Sequence, residues 1–189
     1  MESTPATAFA RALIGAGALV RRGGAALAWL NLLMVAGTLA GVVLRYLFSI
    51  SLPALQESVM YTHALVFMLG MAFTMQADEH VRVDIVYHRL SRRQQCMVNV
   101  FGALLLLLPF LAFIGWESLD YVALSWRSME TSQEAGGLGW VYLLKSLIPA
   151  MVVAMILQAI IDVGRNIHYL RCNAFPEDLL AQPATEVNG

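Results

Sequence analysis

The chain has 189 residues, 59% of them hydrophobic and 13% charged, with 12 Lys and Arg against 13 Asp and Glu and a formal charge of −1. That charged fraction is about half of what an ordinary soluble domain carries. It is too small to cover a water-facing surface, so the composition excludes a soluble globular protein and points to a membrane protein.

The first segment in chain order is MESTPATAFARALIGAGALVRRGG, residues 1–24. Its acidic second residue, and an arginine pair placed after the apolar part, are the wrong order for a cleaved signal peptide. It reads as an amphipathic lead-in lying on the inner membrane surface. Apolar runs follow at 25–44, 59–76, 97–116 and 140–161, each near the roughly 20 residues a helix needs to cross the hydrocarbon. Backbone groups in lipid must bond within their own segment unless a barrel closes, and strand-like alternation is absent. The expected fold is an all-α membrane protein with four transmembrane helices in a 25–162 membrane domain, followed by a polar tail at 163–189.

Orientation comes from the arginines. Arg11, Arg21 and Arg22 precede the first span, Arg82, Arg89, Arg92 and Arg93 separate the second from the third, and Arg165 and Arg171 follow the fourth, whereas the opposite side carries Arg45 and Arg127. By the positive-inside rule both termini and the 77–96 connector are cytoplasmic. Topology thus accounts for the basic residues, and no interleaved aromatic platform supports a nucleic-acid role. Cys96 and Cys172 fall on the cytoplasmic side and are expected as free thiols.

In the connector, ADEHVRVDIVYHRLSRRQQC, Val83, Val86, Tyr87 and Leu90 form one stripe at helical spacing with charged residues on the other face. This predicts an interfacial helix at about 82–93 whose Arg89, Arg92 and Arg93 reach lipid phosphates. Glu79, His80 and Asp84 lack the second His or Cys pair that a metal site needs. A hydrogen-bonded corner in which Asp84 caps or pairs with Arg82 fits better.

In the first span Gly37 and Gly41 form a GxxxG, a surface for close helix approach and the first choice for a partner's helix. Arg45 and Glu57, at the outward ends of the first two spans, are expected to pair and hold that hairpin. His63 has no histidine opposite it on the first, third or fourth span, which disfavours a haem and leaves an interhelical hydrogen bond. Pro109 and Pro149 each delete a backbone hydrogen bond, so kinks are expected in the third and fourth spans. Trp116, Trp126, Trp140 and Tyr142 suit an aromatic belt at the outer boundary, and Lys145 is expected to snorkel to the outer headgroups. No nucleophile elbow, phosphate loop or intramembrane carboxylate pair suggests an enzyme, and no repeat or broken helix around a polar midplane suggests a transporter acting alone.

The run from Arg45 through LPALQESVMYTHALVFMLGMAFTMQADEHVRVD, and then SWRSMETSQEAGGLGWVYLLKSLIP, resembles the DctQ-like small membrane subunit of tripartite ATP-independent periplasmic (TRAP) transporters. The resemblance covers about residues 25–162 and includes Arg45, Glu57, Gly70, the His80 to Asp84 corner and the loop with Arg127 and Glu130. Gly139 stands where that family leads one to expect proline. The resemblance implies an inner-membrane scaffold subunit that is not an enzyme and holds no cofactor. It implies a large permease subunit of about a dozen helices carrying substrate and sodium, and a periplasmic binding protein that delivers an organic acid. The competing reading is a membrane anchor or b-type subunit of a respiratory oxidoreductase, motivated by His63 and His80.

Overall fold

The computed structural model describes residues 15, 29–77, 87 and 89–175. Among them the fold is entirely helical, with four helices long and apolar enough to cross a membrane: α1 (Trp29–Leu47), α2 (Pro53–Gln76), α3 (Arg92–Arg127) and α4 (Val141–Cys172). The lead-in at 1–14 and the tail beyond 175 lie outside the described residues, as do 78–86 and 88 of the connector.

The last two helices overrun the apolar runs that announce them. With 36 and 32 residues, α3 and α4 extend about 54 and 48 Å at 1.5 Å per residue, against a hydrocarbon core of roughly 30 Å. The added turns are the polar ones, Glu117 to Arg127 on α3 and Asp162 to Cys172 on α4, so these ends stand in the headgroup region or beyond.

Each boundary has a local cause. Pro53 opens α2 in the first turn, where its missing N–H is no loss. Ser91 caps α3: its side chain accepts from the Gln94 N–H, while the Gln94 side chain takes the Ser91 N–H at 2.9 Å. Arg92 and Arg93 therefore open the third helix instead of ending a surface helix, which corrects the 82–93 expectation at its C-terminal end. Asn173, left-handed at φ 54, closes α4 by donating its N–H to the Tyr169 carbonyl at 2.8 Å.

The Pro109 disturbance takes the form of a π-helical turn at Ala103–Leu107, in which the Leu108 N–H reaches back to the Ala103 carbonyl. Pro149 sits inside α4 without ending it.

The central helix is α4, packed against both α2 and α3. The core joins Ala72, Leu111, Met151, Val152 and Met155, with Met68, Met71, Met75 and Leu107 packed around it. Five methionines suit this place, because an unbranched side chain fills the irregular gaps beside a π turn and an internal proline. Toward α4, α3 presents Leu111, Gly115, Ser118 and Ser125. A Cβ on Gly115 would lie 3.1 Å from Val152 Cγ1, so small residues set that approach.

On the periphery, α1 meets α2 through its glycines: a Cβ on Gly37 would lie 2.8 Å from Val59 Cγ2, and one on Gly41 3.8 Å from Leu55 Cδ2. The GxxxG face first offered to a partner is thus turned inward onto α2. What α1 shows outward is apolar, including Trp29, Leu33, Val35 and Leu39.

Candidate functional site

The strongest polar arrangement lies where α3 ends and α4 begins. α3 stops in a Schellman turn, with the Glu130 N–H donating to the Ser125 carbonyl at 3.0 Å and the Met129 N–H to Trp126 at 3.2 Å around a left-handed Met129 (φ 45). That turn delivers Glu130 to the side of α4. There its Oε2 accepts from Lys145 Nζ at 2.5 Å, and the same ammonium stands 4.0 Å from the centroid of the Tyr121 ring. The Lys145 ammonium holds the Glu130 carboxyl below its ordinary range. Lys145, expected to reach for headgroups, is instead folded onto the protein, its side chain 16% exposed. Beside it Trp126 donates from Nε1 to Ser146 Oγ at 2.8 Å and packs edge-on against Tyr142 at 4.7 Å.

The 128–140 loop then folds over the start of α2. Glu57 holds it with both carboxylate oxygens: Oε1 accepts from the Ser132 hydroxyl, and Oε2 accepts the Leu138 N–H at 2.6 Å. Ser132 is itself fixed, its N–H bonded to the Leu138 carbonyl at 2.9 Å and its Oγ accepting the Glu134 N–H at 3.1 Å. Only glycine fits at 137, where a Cβ would lie 2.7 Å from Ser132 Cβ and 2.8 Å from Glu57 Oε1. Neighbouring Gly136 has φ +81, a conformation that glycine takes at little cost.

This replaces the expected Arg45–Glu57 pair. The loop supplies hydrogen-bond donors to both Glu57 oxygens, and among the described residues no carboxylate lies within ion-pair distance of Arg45. Arg45 lines a crevice between α1 and α2 together with Thr38, Gln56 and Tyr46. His63 also departs from expectation: it is exposed on α2 and stacks on Phe67, with centroids 6.1 Å apart and planes at 21°, rather than bonding to another helix.

The remaining residues singled out from sequence are scattered. Arg127 is exposed in the last turn of α3, a favourable end for a cation. Gly70 faces open space, Arg89 is exposed ahead of the Ser91 cap, and Trp116 and Trp140 are exposed. His80, Arg82 and Asp84 lie outside the described residues. Cys96 is buried and Cys172 exposed, both free. Among the described residues no three His, Cys, Asp or Glu side chains gather as a metal site.

A second polar cluster, not anticipated from the sequence, occupies the opposite end. Asn99 donates to Tyr87 Oη at 3.0 Å and to Asn166 Oδ1 at 3.4 Å, and Asn166 donates to the Asp162 carbonyl at 2.7 Å. Fully buried Gln158 donates to Asp162 Oδ1 at 3.0 Å. The only available signal was the spacing of polar residues 158, 162, 165 and 166 along one helix.

Neither cluster presents a nucleophile with a base; both fasten helices and loop to one another. Against known proteins, the chain matches the family described as Tripartite ATP-independent periplasmic transporters, DctQ component, over residues 34–168, a stretch that includes most of each of the four helices. No curated protein and no solved structure matches it. The chain, a multi-pass membrane protein, therefore belongs to the DctQ component family of tripartite ATP-independent periplasmic transporters, a family of transporter components and not of enzymes.

Proposed function

We propose that this chain is the scaffold subunit of an inner-membrane TRAP transporter, with both termini cytoplasmic and the 128–140 loop facing the periplasm. It would hold and anchor a large permease subunit during ion-coupled uptake of an organic acid delivered by a periplasmic binding protein. Substrate and sodium would belong to the large subunit.

The observation that supports this best is where the polar groups sit. The two polar clusters fasten the two ends of the bundle, with Gln158 reaching Asp162 from one turn further in, while the core between them packs apolar residues, five methionines among them. A solute carrier keeps its polar groups near the bilayer midplane. A scaffold needs stiffness at its ends and apolar surface on its flanks, as α1 provides.

The test is solute uptake by proteoliposomes holding the large permease with and without this chain, the binding protein being supplied outside. Uptake should require both membrane subunits. Full uptake by the large subunit alone, or uptake by this chain alone, would refute the reading.

A further inference from the structure

At the end of the bundle opposite the Glu57 clasp, a cavity of about 510 Å³ opens between the end of α2, the first half of α3 and the last third of α4. Its size falls within the roughly 300–1,000 Å³ of small-ligand sites. Its lining changes character along α3. Tyr87, Arg92 and Asn99 stand toward the helix end, whereas Ala103 and Leu107 of the π turn lie deeper, about 16 and 22 Å from Arg92 at 1.5 Å per residue. Val98 lines the cavity and is itself 51% exposed, so the cavity communicates with the outer, apolar side of α3.

We propose that this cavity seats one phospholipid, its phosphodiester on Arg92 and one acyl chain running past Gly102 and Ala103 toward Leu107. Three features favour that ligand. A guanidinium matches two phosphate oxygens at once, and Arg92 makes no ion pair among the described residues. It stands in the first turn of a long helix, whose N-terminal dipole also favours an anion. Among the described residues of the lining the one carboxylate, Asp162, is 3.7 Å from Arg165 Nη1 and accepts from Gln158, so its charge is already engaged. The deeper part of the described lining, Ala103 and Leu107, is apolar, and Gly102 contributes open space there, since a Cβ on it would meet nothing within 4 Å. A polar mouth over an apolar slot that reaches the bilayer is the shape of a lipid seat. The inference is independent of the transporter reading and concerns this chain alone.

Native mass spectrometry of the full chain in detergent, titrated with dioleoyl phosphatidylglycerol, dioleoyl phosphatidylethanolamine, dioleoylglycerol or inorganic phosphate, tests it. One saturable adduct per chain is expected with either phospholipid, and about fivefold to tenfold weaker binding of dioleoylglycerol, which lacks the phosphate. Arg92→Gln should weaken the phospholipid adduct to the same degree. Gly102→Leu, whose side chain enters the slot, should reduce it as well, and Arg171→Gln, in the last turn of α4 but outside the lining, should leave it unchanged. Should Gly102→Leu fail to fold, Arg92→Gln on its exposed first turn carries the test. Equal binding of dioleoylglycerol, unchanged binding by Arg92→Gln, an equal loss in Arg171→Gln, or displacement of phospholipid by inorganic phosphate would each overturn the proposal.

Discussion

Three glycines in the 128–140 loop make the clasp on Glu57 testable, because each is held by a different constraint. At Gly139 an added Cβ meets only Thr131 Cγ2 at 3.8 Å, an ordinary contact. At Gly136 there is space, but φ +81 is a left-handed conformation, which costs an L-residue roughly 1–2 kcal/mol. At Gly137 the Cβ lands 2.7 Å from Ser132 Cβ and 2.8 Å from Glu57 Oε1, so the two sides of the clasp must part. Overpacking of that kind costs roughly 1–3 kcal/mol. Alanine substitution should therefore be near neutral at 139, intermediate at 136 and most damaging at 137. In detergent micelles, proteolytic nicking of the loop reads the open fraction when opening and closing are fast. Gly137→Ala should raise the nicking rate between roughly fivefold and 150-fold, since about 1.4 kcal/mol is a factor of ten. Equal rates for all three variants, or a larger effect at 139 than at 137, would refute the clasp geometry.

Other consequences follow from neighbouring residues. The Glu130 carboxyl is held below its ordinary value of 4.5 by Lys145, so its contribution is complete above that value and is lost as pH falls through the lower folded value. Nicking of the loop should rise on acidification below about pH 4.5 and lose that component in Glu130→Gln. A rise of equal size in both proteins would contradict the pairing. Met129 takes a left-handed conformation without being glycine, and Met129→Gly should stabilise by roughly 0.5–1 kcal/mol, strain relief minus glycine's entropy, measured by denaturant unfolding in micelles. Gly37→Ala should push α1 away from α2 and be rescued by Val59→Ala, which removes the methyl group 2.8 Å away. Crosslinking between α1 and α2 reads both, and a double variant no better than Gly37→Ala would count against that contact.

The number of helices was legible because lipid leaves an apolar run few alternatives. Their ends were not. Glu117 to Arg127 continue α3 beyond the apolar run, since Ser118 and Ser125 pack against its neighbours and the Schellman turn waits at Met129. Hydropathy marks the hydrocarbon, whereas the helix ends where its caps and packing end. Glu57 was recognisable as a polar anchor, but its partners lie 75 and 81 residues away. Proximity along the chain favours Arg45 over either of them. The pair Gly136 and Gly137 after Ser132 was the one local sign that this loop turns back tightly. Glu130 and Lys145 each stood out alone, and only the Schellman turn that ends α3 makes them neighbours. Arg92 and Arg93 continue the charge pattern of the connector but belong to α3, because the Ser91 to Gln94 capping box starts that helix.

The most direct measurement of the central claim is the mass of the complex formed when this chain is co-expressed with the large permease of the same transporter. Tagging this chain alone, purifying it in mild detergent and weighing the product should yield one large subunit per copy. Recovery of this chain free of the large permease, with the permease intact in the unbound fraction, would contradict a scaffold role.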